Sequence, residues 1–251
     1  MDYVMVRPSL GSTLAFLAII VAVALALPAA VWAGSEEALG PGPARRATLR
    51  ACGATLLVLA ASALLAESGA LAAIPRGLGI MAYVLACAAG AVALAFSRLG
   101  QRLAHGLPLY VLVGFHVFRL PLELVLHQWY MEGVLPVQMT YEGQNFDVLT
   151  GLLALLLGPL IYAGKLARRA VLAFNLVGLG LLVNVGSIAV RSSPVPLRTF
   201  LNEPPVLLAL NAPYTWIVPV CVGGALFGHL LGFRRLFGGE APILGVRGAA
   251  P

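Results

Sequence analysis

Seven stretches of this sequence, residues 10–33, 50–66, 79–97, 107–130, 148–164, 170–190 and 213–233, are apolar and close to the length of a bilayer-spanning helix. A helix rises about 1.5 Å per residue, so about 20 apolar residues cross roughly 30 Å of hydrocarbon. The runs predict an all-α polytopic membrane bundle of about seven transmembrane helices, with residues 1–251 forming a single transmembrane domain. Composition agrees. The chain is 60% hydrophobic and 10% charged with a mean hydropathy of +0.94, whereas a soluble domain carries about 25% charge, so a water-soluble fold is excluded.

The basic residues fall in short clusters between the runs, where they act as topology signals, and no nucleic-acid partner is expected despite the formal charge of +6. With seven spans and the N-terminus outside, one set of loops holds Arg45, Arg46, Arg50, Arg98, Arg102, Lys165, Arg168, Arg169, Arg234, Arg235 and Arg247. The opposite set holds Arg7, Arg76, Arg191 and Arg198. Eleven against four places the C-terminus in the cytoplasm by the positive-inside rule. The first run is 24 residues, too long for a signal-peptide core of about 7–15, and cleavage after Ala33 would invert the rule. The excess of Arg over Lys, with abundant Ala, Gly and Leu, suits a GC-rich bacterial genome and hence a bacterial plasma membrane. Cys52, Cys87 and Cys221 lie in apolar runs without metal or redox spacing and read as packing residues. Ala82, Ala86 and Gly90 repeat every four positions in the third helix and suit close helix packing.

The fourth run carries the chemistry. His116, Arg119, Glu123 and His127 stand at offsets of 0, 3, 7 and 11, along one stripe of a helix that rises from mid-membrane to the outer surface. An arginine at membrane depth must face protein or water and find a partner, and Glu123 is the nearest one in sequence. Two readings stand: an Arg119–Glu123 pair that holds the bundle together, or a functional site. Pro121 removes a backbone N–H and frees the carbonyl of Val117, which kinks or opens this helix beside the pair. In the sixth run Gly180, Asn184, Ser187 and Arg191 form a second rising stripe, with Asn175 on the opposite face.

Above these stripes, residues 132–147 form an outer loop with three acids and no base. Asn145 or Asp147 reads as the N-cap of the fifth helix, while Glu142 has no such structural role. The binding set expected is therefore Arg119, Glu123, His127, Glu142, Asn184 and Ser187, with Pro121 and His116 structural. His127 with Glu123 falls short of a metal site, and neither metal nor cofactor is expected. His105 and His229 read as interfacial and remote from the seam. Residues 191–212 hold four prolines and read as a stiffened loop, with Tyr214 and Trp216 as belt residues at the next bilayer entry. No helix carries a lysine, and no Walker loop, HExxH or GxSxG is present.

From about residue 107 to 236, the segments FRLPLELVLHQWYMEGVLPVQMTYEGQNFD, FNLVGLGLLVN and PYTWIVP resemble a group of uncharacterised bacterial multi-pass membrane proteins. The resemblance covers roughly the last half of the chain, and it implies no activity and no catalytic residue. Beyond the bilayer itself, three classes follow from the residues. The first is a permease-like protein, or one that binds a small molecule or lipid at an outward-opening polar site. The second is a non-catalytic subunit with a membrane-protein partner. The third is a membrane-embedded enzyme acting on a lipid-linked substrate through Glu123 or His127.

Overall fold

A computed structural model describes residues 4–74 and 77–238, and Arg76 and Arg247, two of the charges counted above, lie outside the described residues. Ten α-helices run in the order α1 (Leu10–Leu39), α2 (Pro41–Glu67), α3 (Ala70–Ala73), α4 (Leu78–Phe96), α5 (Arg98–Gly106), α6 (Leu109–Gly114), α7 (Arg119–Met131), α8 (Val148–Tyr162), α9 (Arg168–Ser192) and α10 (Gly223–Phe237), and no strand occurs among the described residues. Among the described residues, six helical stretches are long and apolar enough to cross a membrane: Leu10–Glu36, Pro41–Glu67, Leu78–Phe96, Leu109–Met131, Arg168–Ser192 and Tyr214–Phe237. These mark a membrane protein.

The fifth expected span, 148–164, is α8, which has 15 residues and so reaches only about 22 Å. It stops at Gly164, whose φ of +66° turns the chain where an L side chain would be strained. The first two helices, by contrast, exceed their apolar runs. Their boundary is fixed by Gly40, at φ +78°, and by Pro41 in the first turn of α2. Arg45, Arg46 and Arg50, expected in a loop, therefore ride on the first turns of α2. Residues 98–106, also expected as a loop, form the amphipathic α5: Ser97 Oγ caps Gly100 N–H at 3.2 Å, Leu103 and Ala104 are buried, and Arg98, Gln101 and Arg102 face out.

Helix breaks sit beside prolines. The stretch Phe115–Phe118 between α6 and α7 is a 3-10 turn, immediately before Pro121, which has no N–H for the ladder. In the last span, Tyr214–Ile217 is a 3-10 turn and Val218–Val222 a π-helical turn containing Pro219.

Two large apolar clusters, with a smaller third one around Leu71, Tyr83 and Val218, form the core. One joins Phe16, Ile20, Leu126, Trp129, Ile188 and Tyr214, with Phe16 and Trp129 centroids 5.1 Å apart and Trp129 edge-on to Tyr214 at 5.4 Å. The other, toward the opposite end, joins Val31, Leu103, Leu112, Ile161, Phe174 and Leu231. Tyr214 is thus a core residue whose hydroxyl meets Thr13 Oγ1 at 2.9 Å, and Trp216 donates Nε1–H to Leu59 O of α2 at 2.9 Å. Each polar tip thus finds a partner inside the fold, as a buried Tyr hydroxyl or Trp N–H usually does. Ala82, Ala86 and Gly90 are exposed, so the packing face of α4 is instead the one carrying Tyr83 and Cys87. The outward apolar side chains of α2, including Leu49, Leu56, Leu57 and Leu64, suit a lipid environment, in which they cost nothing.

The start of α1 is anchored to the end of α7. Glu132 accepts from Ser9 N–H at 2.8 Å, Ser9 Oγ at 2.7 Å, Ser12 Oγ at 2.9 Å and Gln128 Nε2 at 3.0 Å. A carboxylate at a helix N-terminus is favoured by the dipole. Partial desolvation pushes the Glu132 carboxyl up, but the hydrogen bonds from Ser9, Gln128 and Ser12 outweigh it and hold it below the usual glutamate range. This contact sets the first residues of α1 and the 132–147 loop at one end of the bundle, with Lys165, Arg168 and the last turn of α10 at the other.

Candidate functional site

At the waist between the two apolar clusters lies a polar core. Arg119, about 15 Å along the helical path from Leu109, is 1% exposed, as are His116 and Glu123. Its ion-pair partner is Asp147, with Nε 2.6 Å from Oδ2, and not Glu123. The i, i+4 spacing favoured Glu123, but the 132–147 loop folds back and brings Asp147 in beside Arg119. Asp147 stands at the N-cap position of α8 without making a side-chain cap. Its Oδ1 instead accepts from Thr150 Oγ1 at 3.2 Å.

Glu123 takes a different partner. Asn145, 0% exposed, donates Nδ2–H to Glu123 Oε2 at 2.7 Å and to Met139 O at 3.0 Å. Its Oδ1 accepts from Asp147 N–H at 3.1 Å. One loop asparagine thus bonds both the Glu123 carboxylate and the backbone of Asp147, and closes the loop over Glu123. A second loop contact lies outside the waist, where Gln138 donates to Ser192 Oγ at 3.0 Å and exchanges hydrogen bonds with Asn202.

On the other side of Arg119, Nη1 donates to Gly178 O at 3.2 Å and lies 3.1 Å from His229 Nε2. A guanidinium has no lone pair to offer, so Nε2 is the acceptor and the proton of a neutral His229 sits on Nδ1. That Nδ1 lies 3.2 Å from Asn175 Oδ1, which accepts it, and Asn175 Nδ2 donates to Val171 O at 3.1 Å. His116 stacks on His229 with centroids 3.9 Å apart and planes at 20°. Among the described residues, neither His116 ring nitrogen nor Arg119 Nη2 has a hydrogen-bond partner.

His229 and Asn175, set aside in the sequence, therefore belong to the site. His229 was hidden in the apolar run of α10, and Asn175 lies on the face of α9 opposite the Asn184 stripe. A signal was available in the glycines. A Cβ at Gly178 would strike the His229 ring, one at Gly228 would lie 3.0 Å from His116 Nε2, and one at Gly232 would lie 2.5 Å from Asn175 Oδ1. Each glycine makes room for a polar side chain on a neighbouring helix.

Other expected residues lie elsewhere. Asn184 donates to Gln144 O at 2.8 Å at the bundle surface, Ser187 bonds only Asn184 O, and neither meets Glu123. Arg191, at the top of that stripe, donates to Thr199 Oγ1 at 2.8 Å and lies over Phe200, pinning the Pro-rich loop. His127 and Glu142 do meet, with Nε2 3.7 Å from Oε1, and Tyr141 stacks on His127 at 4.6 Å. That pair is half-exposed at the loop surface, one turn beyond Glu123. Among the described residues no group of three or more His, Cys, Asp and Glu is placed to hold a metal ion.

A family profile matches residues 75–237, more than half of the chain, and covers every member of this polar core. The chain belongs to the DUF8737 family, a domain of unknown function. The DUF8737 region begins after α2, so α1, whose Phe16 packs on Trp129, adds to the core from outside it. No curated protein and no solved structure matches the chain.

Proposed function

We propose that the chain is a multi-pass protein of the bacterial plasma membrane, with seven spans and the acidic-loop end outside, whose polar waist binds a small cation, the proton included, in permease-like transport. The charge inventory carries the reading. One arginine faces two carboxylates, Glu123 and Asp147, while His229 is held neutral. With both carboxylates ionised the waist is one charge short of neutral, and an uncompensated charge in an apolar interior is costly. A proton or another cation at Glu123 removes that cost. A structural pin needs only Arg119 and Asp147. Glu123 and the unpartnered His116 nitrogens exceed it, and intramembrane ionisable chains of this kind mark ion and proton pathways.

Access runs from the acidic-loop end, because among the described residues the hydrogen bond to Glu123 comes from loop residue Asn145. Lifting that loop exposes the carboxylate. The 3-10 turn in the fourth span and the π turn in the last supply irregular backbone beside the site. The 11 to 4 split of basic residues supports the orientation. Accessible-cysteine labelling at Gln144 and Phe237 should report opposite sides, and the same side at both positions would exclude it.

The test of function is flux. Proteoliposomes holding a trapped pH dye, and separately a sodium dye, are driven by a potassium diffusion potential. The protein should carry one cation at a rate that Glu123→Gln abolishes while the variant elutes as wild type. No flux of either ion above empty vesicles would instead favour a second reading, a non-catalytic subunit of a membrane complex. That reading draws support from the complete burial of Arg119 and Glu123 and from the exposed apolar face of α2.

A further inference from the structure

The flank of the bundle where α6 meets α8 bears an apolar groove lined by Tyr110, Gly114, Val117, Leu155, Gly158 and Tyr162. Two of its lining residues, Gly114 and Gly158, carry no side chain. A Cβ at Gly114 would meet nothing within 4 Å, and one at Gly158 only Gly114 Cα and Tyr110 O, both at 3.9 Å. Tyr110 and Tyr162 close one end, edge-on at 5.1 Å. At that same end α8 stops after 15 residues, about 8 Å short of a bilayer-spanning length, so lipid must adapt at this flank.

The closed end is also strongly basic. Lys165, Arg168 and Arg169 follow Tyr162 within seven positions and are exposed, while α5, directly before Tyr110, presents Arg98 and Arg102. No acidic residue occurs between positions 98 and 122 or between 148 and 192. An apolar groove that ends at exposed cations matches a single chemistry: an apolar tail joined to an anionic head. We propose that this groove seats one acyl chain of an anionic phospholipid whose headgroup phosphate lies on Lys165, Arg168 and Arg169. Each basic group adds to the attraction for an anionic headgroup, and the groove converts a diffuse attraction into a defined seat. The proposal is independent of cation transport at the waist.

The test uses the full chain in nanodiscs of equal phosphatidylcholine and phosphatidylglycerol, probed by spin-labelled analogues of each lipid. Wild-type protein should immobilise the phosphatidylglycerol probe at least about threefold more strongly. Gly114→Leu and, separately, Leu155→Trp fill the slot. Both positions are open, Leu155 being 47% exposed, so the variants should elute as wild type yet lose the immobilised component. Lys165→Gln with Arg168→Gln and Arg169→Gln should keep immobilisation but equalise the two lipids. Equal immobilisation of both probes by the wild type would overturn the proposal, as would an unchanged phosphatidylglycerol preference in the two filled-groove variants. A shift from dimer to monomer in Gly114→Leu without any lipid effect would also overturn it, by assigning the groove to a second copy.

Discussion

Asp147→Asn isolates the main electrostatic contact of the polar waist. It keeps the volume of the side chain and its hydrogen bond with Thr150 but removes the charge that faces Arg119 Nε at 2.6 Å. Arg119 would keep only Gly178 O and His229 Nε2 as acceptors, both neutral. Removing one partner of a buried ion pair costs about 3–5 kcal/mol, a factor of roughly 100 to 1,000 or more in the folded-to-unfolded ratio. Glu123→Gln is the contrast. The amide oxygen still accepts from Asn145, Arg119 keeps its ion pair, and one of two neighbouring carboxylate charges is gone, so stability should stay within about 1 kcal/mol of wild type or rise. Replacing both partners, Arg119→Met with Asp147→Leu, should recover most of the loss, because it leaves no buried charge unpaired. Unfolding by increasing SDS in mixed micelles, followed by intrinsic tryptophan fluorescence, measures all three. If Glu123→Gln cost more than Asp147→Asn, or the double variant stayed as unstable as Asp147→Asn alone, the assignment of Asp147 as the partner of Arg119 would be refuted.

Three further outcomes test the surrounding structure. Gly178→Ala and Gly232→Ala should each cost about 1–3 kcal/mol in the same assay by overpacking against His229 and Asn175, whereas Gly180→Ala, with nothing within 4 Å, should be neutral. Because the folded Glu132 carboxyl titrates below its ordinary value of 4.5, its contribution is complete above that pH and is lost as the pH falls through the folded value. Thermal midpoints measured from pH 6 to pH 3 should therefore fall more for wild type than for Glu132→Gln. Asn145→Ala should destabilise the loop over Glu123, raising amide hydrogen exchange across residues 138–147 while leaving α9 protected, and unchanged exchange in the loop would count against its role as the cover of the site.

The apolar runs were legible because spanning a bilayer is a one-dimensional condition on length and hydropathy, and it located every long helix. Ends were less legible. Gly40, through its backbone conformation, fixes where α1 stops, beyond the end of its apolar run, whereas Gly164 ends α8 where the apolar run itself ends. The stripe from His116 to His127 was readable from helical periodicity, and so was the need of Arg119 for a partner. The identity of that partner was not. Asp147 is 28 residues away in sequence, and only the fold-back of the loop through Asn145 brings it in.

What the sequence determined by itself is thus local: which segments are apolar, which face of the fourth span is polar, where Pro121 interrupts the ladder, and which ends of the helices are basic. Each follows from the chemistry of residues within one or two turns of each other. The tertiary structure decided everything that depends on two elements meeting. It set His229 rather than Asn184 against Arg119, brought Asn175 to His229 and left Asn184 at the surface. The reason is physical: a hydrogen bond reaches about 3 Å, so the members of a buried network are chosen by how helices pack, and that packing is dictated here by the glycines at 178, 228 and 232 that let α9 and α10 close around the imidazoles.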